Sequence, residues 1–394
     1  MLMKILILSC NTGEGHNSAA KAIKYYFDRD GDECVMADAL SFVSTAMSKI
    51  VCGGHVFIYR RVPSMFDLVY NGAEVFAKKE TSKHDTIIFK LLALGAKKLY
   101  NFIQEGNYDR IVCFHPFAAQ MLTKVYRDHD DVGLPTYLIA TDYVCSPGAG
   151  ESKLDAYITP HEGVEIEFTK RCVKKDRIVP IGIPINPAFS DLPSKEEART
   201  ELGISPESRV IVLMFGSMGC GPIKKMAEKM AAKTDGNKIL YIVCGRNEKL
   251  RKKLAHLEND HVHVLGFCTQ MPLYMSAADL FVTKPGGLST TESASARLPM
   301  LLIDAVAGCE TYNYNFFVDN GYAFGAETVD AMVDRAHELV LDEAALEETR
   351  KKLEENFACD NAYRIYKYVK EGRTPLGDAA KKEQEILSET SVPV

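Results

Sequence analysis

Glycine pairs and histidines set just after apolar runs are the residues of this chain best suited to chemistry. Residues 278–292 read Ala-Ala-Asp-Leu-Phe-Val-Thr-Lys-Pro-Gly-Gly-Leu-Ser-Thr-Thr-Glu: a short strand, a turn at Gly286-Gly287, and a helix opened by Ser289 or Thr290. Glycine lets a ligand approach bare backbone, and the free N–H groups and dipole of a helix start favour an anionic oxygen. Glu292 falls one turn further on, where a carboxylate can accept from a pair of ribose hydroxyls. Taken alone, the turn fits an ordinary α/β connection equally well. A second glycine turn, Gly216-Ser217-Met218-Gly219-Cys220-Gly221, follows the apolar run 210–215. Its amides suit a diphosphate and the charge that develops as a diphosphate departs. Arg246, in Cys244-Gly245-Arg246-Asn247, either adds fixed positive charge or is a surface arginine.

A third unit of this kind opens the chain. The apolar run 4–9 leads into Cys10-Asn-Thr-Gly-Glu-Gly-His16 and a helix over 17–27. No Gly-Lys-Ser/Thr follows, which excludes a P-loop, and Gly13-x-Gly15-x-x-Ser18 lacks the third glycine of a dinucleotide fingerprint. With Asp38 as ribose acid, a nucleotide-cofactor oxidoreductase keeps only a small claim. His16 stands at a helix N-terminus, whose dipole disfavours the imidazolium and leaves a neutral base; the bland alternative is a packed or capping histidine. Two further apolar runs, 110–114 and 135–140, end in His115-Pro116 and Thr141-Asp142. Ligands of open parallel sheets sit beyond the carboxyl ends of strands, so His16, His115 and Asp142 are expected along one rim. The acidic turns Asp30-Gly31-Asp32 and Asp128-His-Asp-Asp131 lack calcium-loop spacing and read as solvated.

These units need a scaffold. Strands alternate with helices through 178–187, a Pro-rich linker covers 180–193, and the alternation restarts with a helix at 195–202 closed by Gly203. The pattern predicts an α/β protein of two doubly wound, Rossmann-like domains facing across a cleft: 1–185 and 186–355, then a helix 356–372 returning to the first domain and a partly disordered tail 373–394. Residues 330–356 read as one helix. The stretch 41–104 breaks the rhythm. From Lys49 to Gln104 it carries nine Lys/Arg against four Asp/Glu, interleaved with Phe57, Tyr59, Phe66, Tyr70 and Phe76. That suits an anionic membrane surface or a solvated helical insertion about equally. Ile87, Ile88, Leu91, Leu92, Leu99, Phe102 and Ile103 follow helical spacing and are expected in the core.

Composition narrows the class. A net charge of −6 argues against general nucleic-acid binding. Eleven cysteines, none in a C-x-x-C pair, suggest reduced thiols in the cytoplasm rather than disulfides or zinc. No apolar run reaches the roughly 18–20 residues of a membrane-spanning helix, and no signal-peptide cleavage site follows the opening run.

In order, Gly13-Glu-Gly-His-Asn-Ser-Ala-Ala20, Thr141-Asp142, Gly182-Ile-Pro184, Phe215-Gly-Ser-Met-Gly219, Cys244-Gly-Arg-Asn247, Gly266-Phe267, Thr283-Lys-Pro-Gly-Gly-Leu-Ser289 with Glu292, and Gly308-Cys-Glu-x-x-Asn313 before Phe316-Phe317 span most of the chain. In these blocks the chain resembles the monogalactosyldiacylglycerol synthase and processive diacylglycerol glucosyltransferase family, which has the GT-B fold. The resemblance implies inverting, metal-independent transfer of a hexose from a UDP-sugar to a hydroxyl of a lipid such as diacylglycerol. It implies no further cofactor, and a peripheral site on the inner face of the cell membrane. It makes His16 and Asp142 the catalytic candidates, with Gly13, Gly15, Asn17 and His115 toward the acceptor. On the donor side it places Gly216, Ser217, Met218, Gly219 and Gly221 at the diphosphate. The backbone of Phe267 would meet the uracil, and Glu292 the ribose. Glu310 and Asn313 would lie near the hexose, with Arg246, Gly286, Gly287, Leu288, Ser289 and Cys309 completing the pocket. The family commonly has Gly-Gln-Glu, after a proline, where this chain has Ala307-Gly308-Cys309-Glu310. Many members carry a tryptophan-containing aromatic cluster after Thr141-Asp142, whereas this chain has Ser146-Pro-Gly-Ala-Gly150 and no tryptophan. A non-diacylglycerol acceptor, a nucleotide-sugar-binding protein with lost turnover, and a UDP-sugar 2-epimerase are the alternatives.

Overall fold

The computed structural model describes residues 2–10, 14–44, 86–216, 219, 222–303 and 308–375. Gly13, Ser217, Met218, Gly221, Ala307, the aromatics from Phe57 to Phe76 and the tail from 376 lie outside them. The chain forms two compact units, one running to Pro184 and resuming at Asn361, the other Ile185–Asp360.

The first unit is built on β1 (Lys4–Ser9), β2 (Glu33–Asp38), β3 (Arg110–Cys113), β4 (Thr136–Ile139), β5 (Ala156–Thr159) and β6 (Ile178–Pro180), all parallel, in the order β2-β1-β3-β4-β5-β6. Ile5, Ile7, Ile111, Val112 and Ile158 are fully buried, as continuous apolar strands covered on both faces require. The second sheet holds β7 (Arg209–Met214), β8 (Lys238–Val243), β9 (Val262–Leu265), β10 (Leu280–Thr283), β11 (Met300–Ile303) and β12 (Phe324–Ala326), also parallel, in the order β12-β11-β10-β7-β8-β9. Leu213, Ile242, Val282 and Leu301 pack there against Met226, Met230 and Met332 from the covering helices. At the foot of β10, buried Asp279 accepts from Arg199 at 2.9 Å and from the Val210 amide at 2.7 Å, with Lys195 as a further partner.

The helix Asn361–Lys370 belongs to the first unit and packs on the helix Glu14–Arg29. Its anchor corrects the expectation of a solvated turn at Asp30-Gly31-Asp32. Tyr366 stacks edge-on against Phe27 and donates to Asp30; the Lys370 ammonium reaches Asp30 at 3.0 Å and Asp32 at 2.9 Å. Asp32 is buried and also accepts from the Met3 amide at 3.0 Å. The Tyr366 hydroxyl, with Lys370, holds the Asp30 carboxyl below its ordinary range. Opposite, Gly182 has φ +124°, and a Cβ there would stand 2.3 Å from the Asn361 amide nitrogen.

Several boundaries differ from the sequence reading. The first helix starts at Glu14 rather than Asn17, and residues 329–356 form two helices, Val329–Leu339 and Glu343–Asn356, because Asp342 caps a new one. The helix Glu248–Leu254 ends in a 3₁₀ turn, Ala255–Leu257. Within 86–106 the helices Ile87–Ala93 and Ala96–Gly106 bury Phe89, Leu92, Leu99 and Ile103. Ile87, Ile88 and Leu91, expected in the core, are instead exposed at 82%, 43% and 44%, with Leu94 at 68%. Spacing of i, i+1, i+4, i+7 puts these four on one face of a helix, and spacing alone does not say which face the rest of the unit covers.

Candidate active site

In each sheet the strand order reverses once. That is where a doubly wound sheet opens a crevice at its carboxyl edge. In the first unit the reversal falls between β1 and β3, and the loops leaving these strands carry His16 and His115. His16 is the third residue of its helix, at the positive dipole end. Its Nδ1 lies 3.0 Å from Thr141 Oγ1 at the end of β4, and its ring meets that of His115 edge-on at 4.8 Å. His115 caps the helix Pro116–Asp128, its Nδ1 accepting from the Phe117 amide at 3.1 Å. Asn17 Oδ1 accepts from Ser9 Oγ at 2.8 Å, pinning the first turn of the helix to β1. Gly15 lies inside that first turn, and Asp142, half-buried, follows Thr141 directly. A small recess, open to solvent, is lined by His16 and Thr141 together with Leu138, Ala140, Ala149 and Phe168. A polar corner on an apolar wall suits a substrate whose reacting hydroxyl sits on a greasy body. Asp38 caps the helix Ala39–Val43 through the Leu40 amide at 3.1 Å, which gives it a structural duty.

In the second unit the reversal falls between β7 and β10, and both loops are the glycine turns. Gly216 and Gly219 have φ of +67° and +53°, and the Gly219 amide donates to Gly216 O at 3.2 Å. A Cβ on Gly219 would stand 2.6 Å from Cys244 O, so the turn demands glycine. Asn247 ties this turn to the next one: its Nδ2 donates to Gly219 O at 3.2 Å, and its Oδ1 caps the helix Glu248–Leu254. Beyond β10 the helix begins at Gly287, capped by Gly286, not at Ser289 or Thr290. Thr290 and Thr291 turn their hydroxyls back to Gly286 O and Gly287 O instead of capping. The amides of Gly287, Leu288 and Ser289 head a helix with no side-chain cap, which is an anion-receptive end. Glu292 sits in the second turn, half-buried, and desolvation pushes its carboxyl up to about 7.

The helix Cys309–Asp319 brings a second uncapped N-terminus to the same turn. Fully buried Asn313 donates to Pro285 O at 2.9 Å, and Glu310 is ion-paired with Lys284. Arg246 and Phe267 stand at the carboxyl ends of β8 and β9, the exposed guanidinium 4.2 Å above the ring centroid. No disulfide joins any two of the nine cysteines among the described residues. No group of three His, Cys, Asp or Glu side chains among those residues is placed to hold a metal.

Two family models match the chain: monogalactosyldiacylglycerol (MGDG) synthase over residues 16–185 and glycosyl transferases group 1 over 221–358. It is 27% identical to the processive diacylglycerol beta-glucosyltransferase of Bacillus pumilus across 89% of this chain and 90% of that protein. It is also 27% identical to the chloroplastic monogalactosyldiacylglycerol synthase of Spinacia oleracea, across 81% of this chain and 62% of that one. The chain is a glycosyltransferase that resembles these proteins over most of its length. Its fold is GT-B. MurG of Acinetobacter baumannii superposes with a TM-score of 0.61 at 12% identity, covering 94% of this chain and 99% of that one. Anabaena HepE in complex with UDP and glucose gives 0.55 at 14% identity, covering 93% and 99%.

The geometry of this glycosyltransferase adds three residues to those the sequence suggested. Thr141 orients the His16 ring, Asn247 fastens one glycine turn to the next, and Lys284 lies against both glycine turns of the second sheet. Thr141 and Lys284 stood inside stretches already noted as polar strand ends, which was the signal available for them. Asn247 reads from sequence only as a helix cap.

Proposed function

We propose that the enzyme transfers a hexose from a UDP-sugar to a hydroxyl of a diacylglycerol-type lipid, with inversion. The observation that carries this reading is the donor crevice of the second unit. Two glycine turns and an uncapped helix start meet there at the sheet's switch point, with the Glu292 carboxyl one turn behind. The amides take the diphosphate and Glu292 the ribose hydroxyls. In the first unit, donation from His16 Nδ1–H to Thr141 Oγ1 puts the ring's acceptor lone pair on Nε2, the tautomer a base needs. The acceptor O–H gives its proton to Nε2 as its oxygen forms the bond to the sugar's anomeric carbon. The bond from that carbon to the diphosphate oxygen breaks, and UDP leaves with the electron pair into the amide cradle. The positive charge offered to the leaving group comes from amides and cationic side chains, so no metal or other cofactor is required.

The exposed face of Ile87, Ile88, Leu91 and Leu94 supports contact with a lipid surface, next in the chain to the basic and aromatic residues of 49–85. Among the described residues no helix is long and apolar enough to cross a membrane. A panel of UDP-sugars with a lipid extract, read by mass spectrometry in the presence of a chelator, tests the whole reading. A glycolipid one hexose heavier than its acceptor is expected. Hydrolysis of the UDP-sugar to free hexose and UDP alone, or an isomerised sugar nucleotide, would overturn that reading.

A further inference from the structure

The Lys284 side chain lies against both glycine turns of the donor crevice described above. Its Cε lies 3.4 Å from the point a Cβ would occupy on Gly216, and its Nζ 3.8 Å from the corresponding point on Gly286. The stem therefore crosses the first glycine turn and the ammonium ends beside the second. That ammonium is ion-paired with Glu310 in the first turn of the helix Cys309–Asp319, at side-chain exposures of 14% and 9%. A pair this enclosed has given up most of its hydration. The paired helix starts and glycine amides around it are built for anions. A carboxylate is thus holding the cation of a phosphate site.

We propose that Lys284 is the diphosphate-binding cation and that donor binding exchanges its partner. The phosphate oxygens displace Glu310 from the ammonium, and the released Glu310 carboxylate accepts hydrogen bonds from hydroxyls of the hexose. The exchange rests on the UDP-sugar reading and adds an order to it: the sugar-recognising carboxylate becomes available only once a diphosphate has arrived. When the glycosidic bond to UDP breaks, the extra negative charge on the β-phosphate falls on Lys284. One ion pair thereby serves both donor recognition and leaving-group stabilisation.

Titration calorimetry with UDP and UMP on the full chain tests this, using wild type, Lys284→Met, Lys284→Arg and Glu310→Gln. Wild type is expected to prefer UDP. Lys284→Met should weaken UDP roughly ten- to hundredfold while changing UMP little, and Lys284→Arg should keep most of the preference. Glu310→Gln, which removes the competing carboxylate charge from the ammonium, should bind UDP more tightly than wild type. If Lys284→Met keeps the wild-type ratio of UDP to UMP affinity, Lys284 is not the diphosphate cation. If Glu310→Gln weakens UDP as Lys284→Met does, the pair is only a structural clasp. Should Lys284→Met fail to fold, the tighter UDP binding expected of Glu310→Gln and the retained UDP preference expected of Lys284→Arg still decide. Wild type that binds no UDP would instead overturn the UDP-sugar reading itself, and the exchange with it.

Discussion

The two sheets of this enzyme are built on one plan and furnished with opposite chemistries. Each has six parallel strands, one reversal of strand order, and two loops leaving the carboxyl edge at that reversal. In the first unit those loops present side chains: His16, its partner Thr141, and His115, beside a largely apolar recess. In the second they present backbone: glycines at positive φ, uncapped helix amides, and a lysine lying across them. A proton must be moved by a group that titrates, which requires a side chain. A diphosphate is best held by several fixed dipoles converging on one volume, which a side chain would obstruct. The crevice is generic, and what fills the turn selects the reaction partner.

That division is open to attack, most severely at His16. Replacing it with alanine should lower transfer by about 10²–10⁴-fold and leave UDP affinity, by calorimetry, essentially unchanged. Loss of UDP binding in this variant would erase the separation of roles. Glu292→Ala should do the reverse, weakening UDP roughly ten- to hundredfold through loss of hydrogen bonds to a charged acceptor.

The next largest effect is a pH dependence. With the Glu292 carboxyl pushed up to about 7, the folded chain holds a proton that the unfolded chain, at an ordinary carboxylate value, has released. Its contribution to stability therefore falls as pH rises toward about 7 and is level above it. Ribose hydroxyls donate to the ionised form, so UDP affinity should rise through the same window. Titrations across that range on wild type and Glu292→Gln isolate this carboxylate, because the variant should keep only the pH dependence of the nucleotide's own phosphate.

Thr141→Val should cost roughly three- to tenfold in kcat, as expected for one neutral hydrogen bond. KM should be little changed, and Thr141→Ser should restore the rate. A Val variant with full activity would show that His16 finds its tautomer without Thr141.

Much of this was readable residue by residue. Continuous apolar runs announced parallel strands, the helix at 195–202 with Gly203 emerged with the expected bounds, and the glycine turns lay at the ends of β7 and β10. The errors share a cause. Ile87, Ile88 and Leu91 have the spacing of a buried face, but the unit covers the other side of their helix. Asp30 and Asp32 look like a solvated turn because their partners, Tyr366 and Lys370, lie more than three hundred residues away in the chain. The helix after β10 starts at Gly287, before the expected openers Ser289 and Thr290, and the Thr290 hydroxyl bonds back to Gly286 O inside it.

The sequence alone therefore determined local matters: which segments are strands, where the backbone must be glycine, and which ionisable groups stand at strand ends. These follow from side-chain period and steric freedom, which act over a few residues. Tertiary structure decided which of those groups meet. His16 found Thr141 across 125 positions, and Lys284 found Glu310 across 26. Such pairings are set by strand order, and strand order depends on how whole faces pack, a property that no local stretch of residues contains.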